Sequence, residues 1–192
     1  MELPAQAAAA ELSDVVTLRQ APRQKVDNGT LASARGADRH TVLRLLNEAL
    51  ATELVCTLRC RRHYFMAFGR VVESVRQEFL ERAQQELAHA DRIAARIVEL
   101  NGEPDLNPRG LTERSHAEYT VGDTLESMIR EDLVAKRIAI DSYRQMLSYL
   151  GARDPVTRRL MEEILASEEA HVEDLASLLQ EVSSGAGRSA RS

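Results

Sequence analysis

The sequence predicts an all-α protein: a four-helix bundle made of two antiparallel hairpins joined by one long crossover. Three observations carry that expectation. The chain is 44% hydrophobic and 29% charged, with only 4% aromatic residues and no Trp, a mixture poor for a β-sandwich and well suited to helices. Apolar residues recur at i, i+3, i+4 and i+7 along four long stretches. The breaks between those stretches are short, except for one connection, EPDLNPRGLTERSHAEYTV, that is long and holds two prolines.

The first predicted helix spans roughly 39–67 and stops near Gly69, a residue type that ends helices. The second spans roughly 71–100 and ends at Asn101-Gly102. The third begins at "DTLE", where Asp123 is placed to cap and Glu126 to close a capping box, and stops near Gly151. The fourth begins at Asp154-Pro155, an N-cap followed by proline at the first helical position, and runs to about Val182. Short links make the first pair and the last pair hairpins. The expected organisation is a mobile, nearly charge-balanced N-terminal arm over 1–37, a bundle over 38–182, and a disordered tail, SSGAGRSARS, over 183–192.

The net charge of −5 and pI near 5.6 give no basic field, and the even charge of the arm argues against strong DNA binding. No apolar run approaches the ~20 residues of a membrane span. The Ala-rich start lacks the basic and apolar regions of a secretory signal, so a cytoplasmic location is expected. Cys56 and Cys60 lie one turn apart on one helix, with their side chains running side by side, so no disulfide is expected. They read as small core residues or as thiols lining a cavity.

The chemistry lies in the buried stripes. In the first helix Val42, Leu45, Leu46 and Ala49 lead to Glu53, then to Cys56, Cys60 and Tyr64. In the second, Val72, Val75, Phe79 and Ala83 are followed by Glu86 and His89, then Ile93 and Ile97. The third carries Asp132 and Lys136 between Met128, Ile129 and Ala139, Ile140, Tyr143; the fourth carries Glu168 and His171 between Ile164 and Leu175. A buried carboxylate without a partner costs several kcal/mol, and here every helix has ionisable groups near its middle. Two Glu-x-x-His pairs with further carboxylates describe a dinuclear carboxylate metal site, suited to iron or manganese. Buried Glu–His or Glu–Lys networks without metal are the competing reading. His40, His63 and His116 fit no ligand spacing and read as surface or packing residues. Tyr64, Tyr143 and Tyr149 read as core or interface residues.

The stretches "LNEALATELV", "QQELAHADRIAARI" and "ILASEEAHVEDL" resemble the ferritin-like superfamily, in its bacterioferritin and Dps-like branches, over about residues 40–182. The resemblance implies a ferritin-like bundle in which Glu53 is a terminal ligand, Glu86 and Glu168 bridge two metals, and His89 and His171 bind one metal each. It also implies iron oxidation by O2 or peroxide, iron storage, and a homo-oligomeric shell. With no fifth helix expected after Val182, a dodecamer is favoured over the larger cage. Leu87 stands where haem-binding relatives carry Met, so haem is not expected.

The family's sixth ligand is a Glu on the third helix, and the alignment places Lys136 there. A tyrosine of many relatives is likewise replaced by Cys60. A protonated lysine repels cations. The first expectation is that its ammonium fills the second metal position, leaving a filled or single-metal site. The second is that Asp132 substitutes for the lost carboxylate or orients a histidine. The third is that burial deprotonates Lys136 and makes it a ligand. The leading function is therefore Fe(II) oxidation and iron storage with an impaired dinuclear site. The alternatives are a degenerate structural or stress protein that binds a partner, and a peroxide-consuming di-metal enzyme.

Overall fold

The computed structural model describes residues 37–67 and 73–189, with side chains described as far as 184. Among them there is no strand. The helices are α1 (Arg39–Met66), α2 (Glu73–Glu99), the one-turn α3 (Leu111–Arg114), α4 (Leu125–Leu150) and α5 (Pro155–Ser189). All of the predicted arm except Ala37, together with Gly69, lies outside the described residues.

Local chemistry sets each boundary. Asp38 caps α1, its Oδ2 accepting from the Thr41 N–H at 3.0 Å. The end of α2 is a Schellman turn: Gly102 N–H donates to the Ile97 carbonyl at 2.8 Å, Asn101 N–H to that of Val98 at 2.8 Å, and Asn101 takes a φ of 56°. Gly102 lets the turn lie close against α1, since a Cβ would stand 2.4 Å from Leu43 Cδ2 and push that side chain aside. α4 starts one residue later than the Asp123–Glu126 reading. Thr124 is the cap, and Ser127 closes the box, with Ser127 N–H on Thr124 Oγ1 at 3.1 Å and Thr124 N–H on Ser127 Oγ at 2.9 Å. The hydroxyl pair wins because each side chain reaches the other's backbone. Gly151, at φ 49°, ends α4. Asp154 caps α5 by accepting from Thr157 N–H at 3.1 Å, with Pro155 at the first helical position. α5 continues past Val182 to Ser189; Ser184 does not break it, because its hydroxyl bonds back to the Gln180 carbonyl at 2.7 Å.

Around the bundle α1 packs against α2 and α4, α5 against α4 and α2. The crossover is strapped to α1. Asp105 N–H donates to Asn47 Oδ1 at 2.7 Å, His116 N–H to Thr52 Oγ1 at 3.0 Å, and Arg59 Nη1 to the Glu118 carbonyl at 2.9 Å. The core is apolar at both ends. Phe79, Met128, Ile129, Leu133, Leu175 and Leu178 cluster at one end, and Leu46, Leu50, Ile97, Leu150 and Met161 are fully buried at the other. The ionisable residues lie between them.

At the second end, α2 is tied to the start of α5 by a buried guanidinium. Arg96 Nη2 meets Asp154 Oδ1 at 3.1 Å, and its Nε donates to Thr157 Oγ1 at 2.8 Å. Removing one member of a buried pair costs about 3–5 kcal/mol. Arg96→Ala should therefore lower stability in urea unfolding by about that amount; a loss under about 1 kcal/mol would show the pair to be screened as a surface pair is.

Candidate metal centre

Helical spacing places Glu86 and His89 on the inner face of α2, and Glu168 and His171 on that of α5. α1 contributes Glu53, and α4 contributes Lys136 and Tyr143. All seven are at most 7% exposed. Ligand atoms of Glu53, Glu86, His89 and Glu168 lie within 4.8 Å of one another. His171 joins this group through Lys136.

The Lys136 ammonium is the hub. It donates to Glu168 Oε2 at 2.5 Å, to Glu86 Oε1, and to His171 Nδ1, 3.2 Å away. An ammonium has three N–H groups, and here each has an acceptor. Burial alone would drive off its proton, but the charges of Glu86 and Glu168 outweigh burial and hold its pKa well above the ordinary lysine value. Burial, and then the Lys136 charge, push His171 down to about 3, so its imidazole is neutral and accepts.

Three atoms on the other side of the cluster make no hydrogen bond: Glu53 Oε2, His89 Nδ1 and Glu168 Oε1. His89 Nδ1 stands 3.2 Å from that Glu168 oxygen and 3.5 Å from that Glu53 oxygen. Burial lowers the His89 pKa, yet the pull of Glu168 and Glu53 raises it to about 9. Burial, and then the nearby Glu86 charge, raise Glu53 to about 7. Tyr143 donates its hydroxyl to Glu53 Oε1, which fixes that carboxylate and turns its other oxygen toward His89.

Asp132 belongs to a separate network one turn earlier on α4. Its Oδ1 accepts from Arg59 Nε at 2.8 Å and its Oδ2 from His63 Nδ1 at 3.0 Å. The histidine it orients is thus His63, and its oxygens are taken up away from the Glu53–His89 side. His63 is a buried packing residue, edge-on to Phe79 with ring centroids 5.5 Å apart. Cys60 Sγ points at Asp132 Oδ2, 3.8 Å away, and Cys56 Sγ lies 3.5 Å from Arg59 Nη2. Both are free thiols. Burial pushes Cys56 up to about 12 and Cys60 well above its usual value. Leu87 faces outward on α2, 36% exposed.

Sequence spacing named every residue of the cluster, with Tyr143 only as a core or interface residue; it had His63 as a surface or packing residue without its bond to Asp132, and it missed Arg59. A signal for these two was present: Cys56, Arg59, Cys60 and His63 stand at i, i+3, i+4 and i+7.

A four-helix bundle with carboxylates and imidazoles gathered at mid-height is the architecture of a ferritin-like protein, and the comparisons agree. The chain belongs to the ferritin-like domain family, which matches residues 43–184. It is similar to bacterioferritins. That of Mycobacterium avium is 31% identical over 144 residues, 72% of this chain and 84% of the relative. That of Rhodobacter capsulatus is 27% identical over 135 residues, 70% of this chain and 80% of the relative. Among solved structures, a dodecameric thioferritin, the bacterioferritin-related protein of Bacteroides fragilis, superposes with a TM-score of 0.74 at 28% identity, covering 79% of this chain and 92% of that one. The Rhodobacter capsulatus bacterioferritin, described with a metal-free dinuclear site and haem iron, gives 0.66 at 24% identity, covering 75% and 86%.

The Asp132 network carries a pH signature. Burial would raise its carboxyl, but the hydrogen bond from His63 and the Arg59 charge outweigh this and hold it below the ordinary 3.8. Such a group contributes stability that is complete above its ordinary value and is lost as pH falls through the lower folded value. Asp132→Asn should lower stability near neutral pH by about 3 kcal/mol and flatten the acid limb below pH ~4. An unchanged acid limb in Asp132→Asn would show that this carboxylate is not ionised in the native bundle.

Proposed function

We propose that the chain binds iron at the Glu53, Glu86, His89 and Glu168 cluster and serves in Fe(II) oxidation and iron storage or detoxification within a homo-oligomeric shell. The observation that carries this reading is the convergence of three buried ligand atoms, Glu53 Oε2, His89 Nδ1 and Glu168 Oε1, that face only one another and make no hydrogen bond. Buried polar atoms ordinarily find partners. Three that point at one another, as carboxylate oxygens and an imidazole nitrogen, match the preference of iron or manganese. Bound there, an iron ion supplies one-electron redox chemistry, giving its electron to O2 or peroxide. The protein residues do the rest. Tyr143 holds Glu53 in place, the apolar ends of the bundle keep bulk water away, and the dry surroundings strengthen the hold of the carboxylates on a cation.

Two further features support the reading. A cleft of about 400 Å³ is lined by His171 and by Glu78, Glu81, Asp174 and Glu181, four acids against the one guanidinium of Arg82, a balance that attracts cations. Leu58 and Phe65, one heptad apart on the outer face of α1, are 51% and 67% exposed, as an interface between copies would leave them. The dodecameric relative favours a dodecamer among closed shells. No helix among the described residues is long and apolar enough to cross a membrane, and a cytoplasmic location fits the composition.

A second reading, a metal-free bundle serving as a structural or partner-binding protein, rests on the same Lys136, whose ion pairs already neutralise part of the cluster. Metal content of freshly purified protein and the aerobic oxidation rate of Fe(II) decide between them. Bound iron and a rate above the uncatalysed background are expected. His89→Ala should weaken binding by more than the roughly 10–100-fold that losing a merely supporting group costs. Protein that holds no metal and leaves the rate at background would establish the metal-free reading.

A further inference from the structure

We propose that the Lys136 ammonium is a built-in substitute for a metal ion, so that the bundle takes one divalent cation per chain, held by Glu53, Glu86, His89 and Glu168. This deepens the preceding reading and rests on it.

The two Glu-x-x-His pairs, one on α2 and one on α5, share their carboxylates between two neighbouring positions. One is the point on which Glu53 Oε2, His89 Nδ1 and Glu168 Oε1 converge. The other is the point surrounded by Glu86 Oε1, Glu168 Oε2 and His171 Nδ1, and Lys136 Nζ sits on it. Each shared set thus faces a cation position, and the second already has its cation. The side chain reaches it from α4, is 1% exposed and has every N–H bonded. A metal entering there would have to displace a fully satisfied ammonium and leave it buried without acceptors.

Charge leads to the same count. With Glu53, Glu86 and Glu168 ionised, Lys136 protonated and the His89 proton displaced, as coordination requires, the cluster carries a formal charge of −2. One divalent cation brings that to zero. A second would leave two uncompensated positive charges in a dry core, which is the situation buried sites avoid. Exchanging the lysine for a glutamate changes the cluster by two units of charge, the amount that one more divalent cation would balance.

The test counts metal. Wild-type protein loaded anaerobically with Fe(II), or separately with Mn(II), and then desalted should retain one ion per chain by atomic emission. Lys136→Glu should retain two, a doubling. Two ions per wild-type chain would overturn this proposal and leave the metal-binding reading standing. One ion in both wild type and folded Lys136→Glu would overturn it as well, since the lysine would then not be what sets the number. No ion in wild type would remove both. If Lys136→Glu fails to fold, the electron paramagnetic resonance spectrum of Mn(II)-loaded wild type decides. The hyperfine pattern of isolated ions is expected, and a spin-coupled pair would overturn the proposal.

Discussion

The ammonium of Lys136, set between Glu86 and Glu168, is the contact on which the middle of this bundle depends. The cluster brings oxygens of three glutamates within 4.8 Å of one another, out of reach of water. Two unit charges at that separation repel by about 3–4 kcal/mol at an effective dielectric near 20, and each also loses its hydration. Apolar residues of similar volume would be a cheaper way to fill that space. Retaining the charges therefore points to a use for them. Lys136 pairs with two of the carboxylates, and on the proposed reading the remaining ligand atoms, with His89, are left for a cation from outside. The Arg59–Asp132–His63 network solves the same problem a turn away by giving each Asp132 oxygen a donor, although His63 Nε2 makes no hydrogen bond.

Periodicity made the four long helices legible, because their apolar stripes are interrupted only at mid-height. The ends were legible where a residue type has one dominant use, as at Gly151 and Asp154-Pro155. The start of α4 was not: Asp123 and Thr124 are both good caps, and only the reciprocal bond with Ser127 selects between them. The end of α5 was misplaced for a related reason, since serines that suggest a loop can bond back along a helix. Glu53, Glu86, His89, Glu168 and His171 could be read from spacing, since a carboxylate and an imidazole one turn apart already share a face. Arg59 keeps the spacing of the buried stripe but is easily passed over, because the run "RCRRH" looks like a solvated basic face until Asp132 is seen to need a partner. The bond from Tyr143 to Glu53 joins residues 90 positions apart, and no local pattern announces it.

The relatives place the chain in the ferritin-like family, and the fold positions its cluster as the family's architecture leads one to expect. What the fold does not set is the number of cations the cluster holds. On the reading proposed above, that number follows from which side chain α4 sends inward at residue 136, a single position in an otherwise ordinary amphipathic helix. A change of one residue there alters the formal charge of the core by as much as a divalent ion does, which is how a shared scaffold can host sites of different stoichiometry.

Anomalous diffraction from crystals of the wild-type chain soaked in Mn(II) or Fe(II) tests this account most directly. It predicts one anomalous peak per chain, among Glu53, Glu86, His89 and Glu168, with the Lys136 side chain still bonded to Glu86, Glu168 and His171. A second peak beside His171, with Lys136 turned out of the cluster, would contradict it.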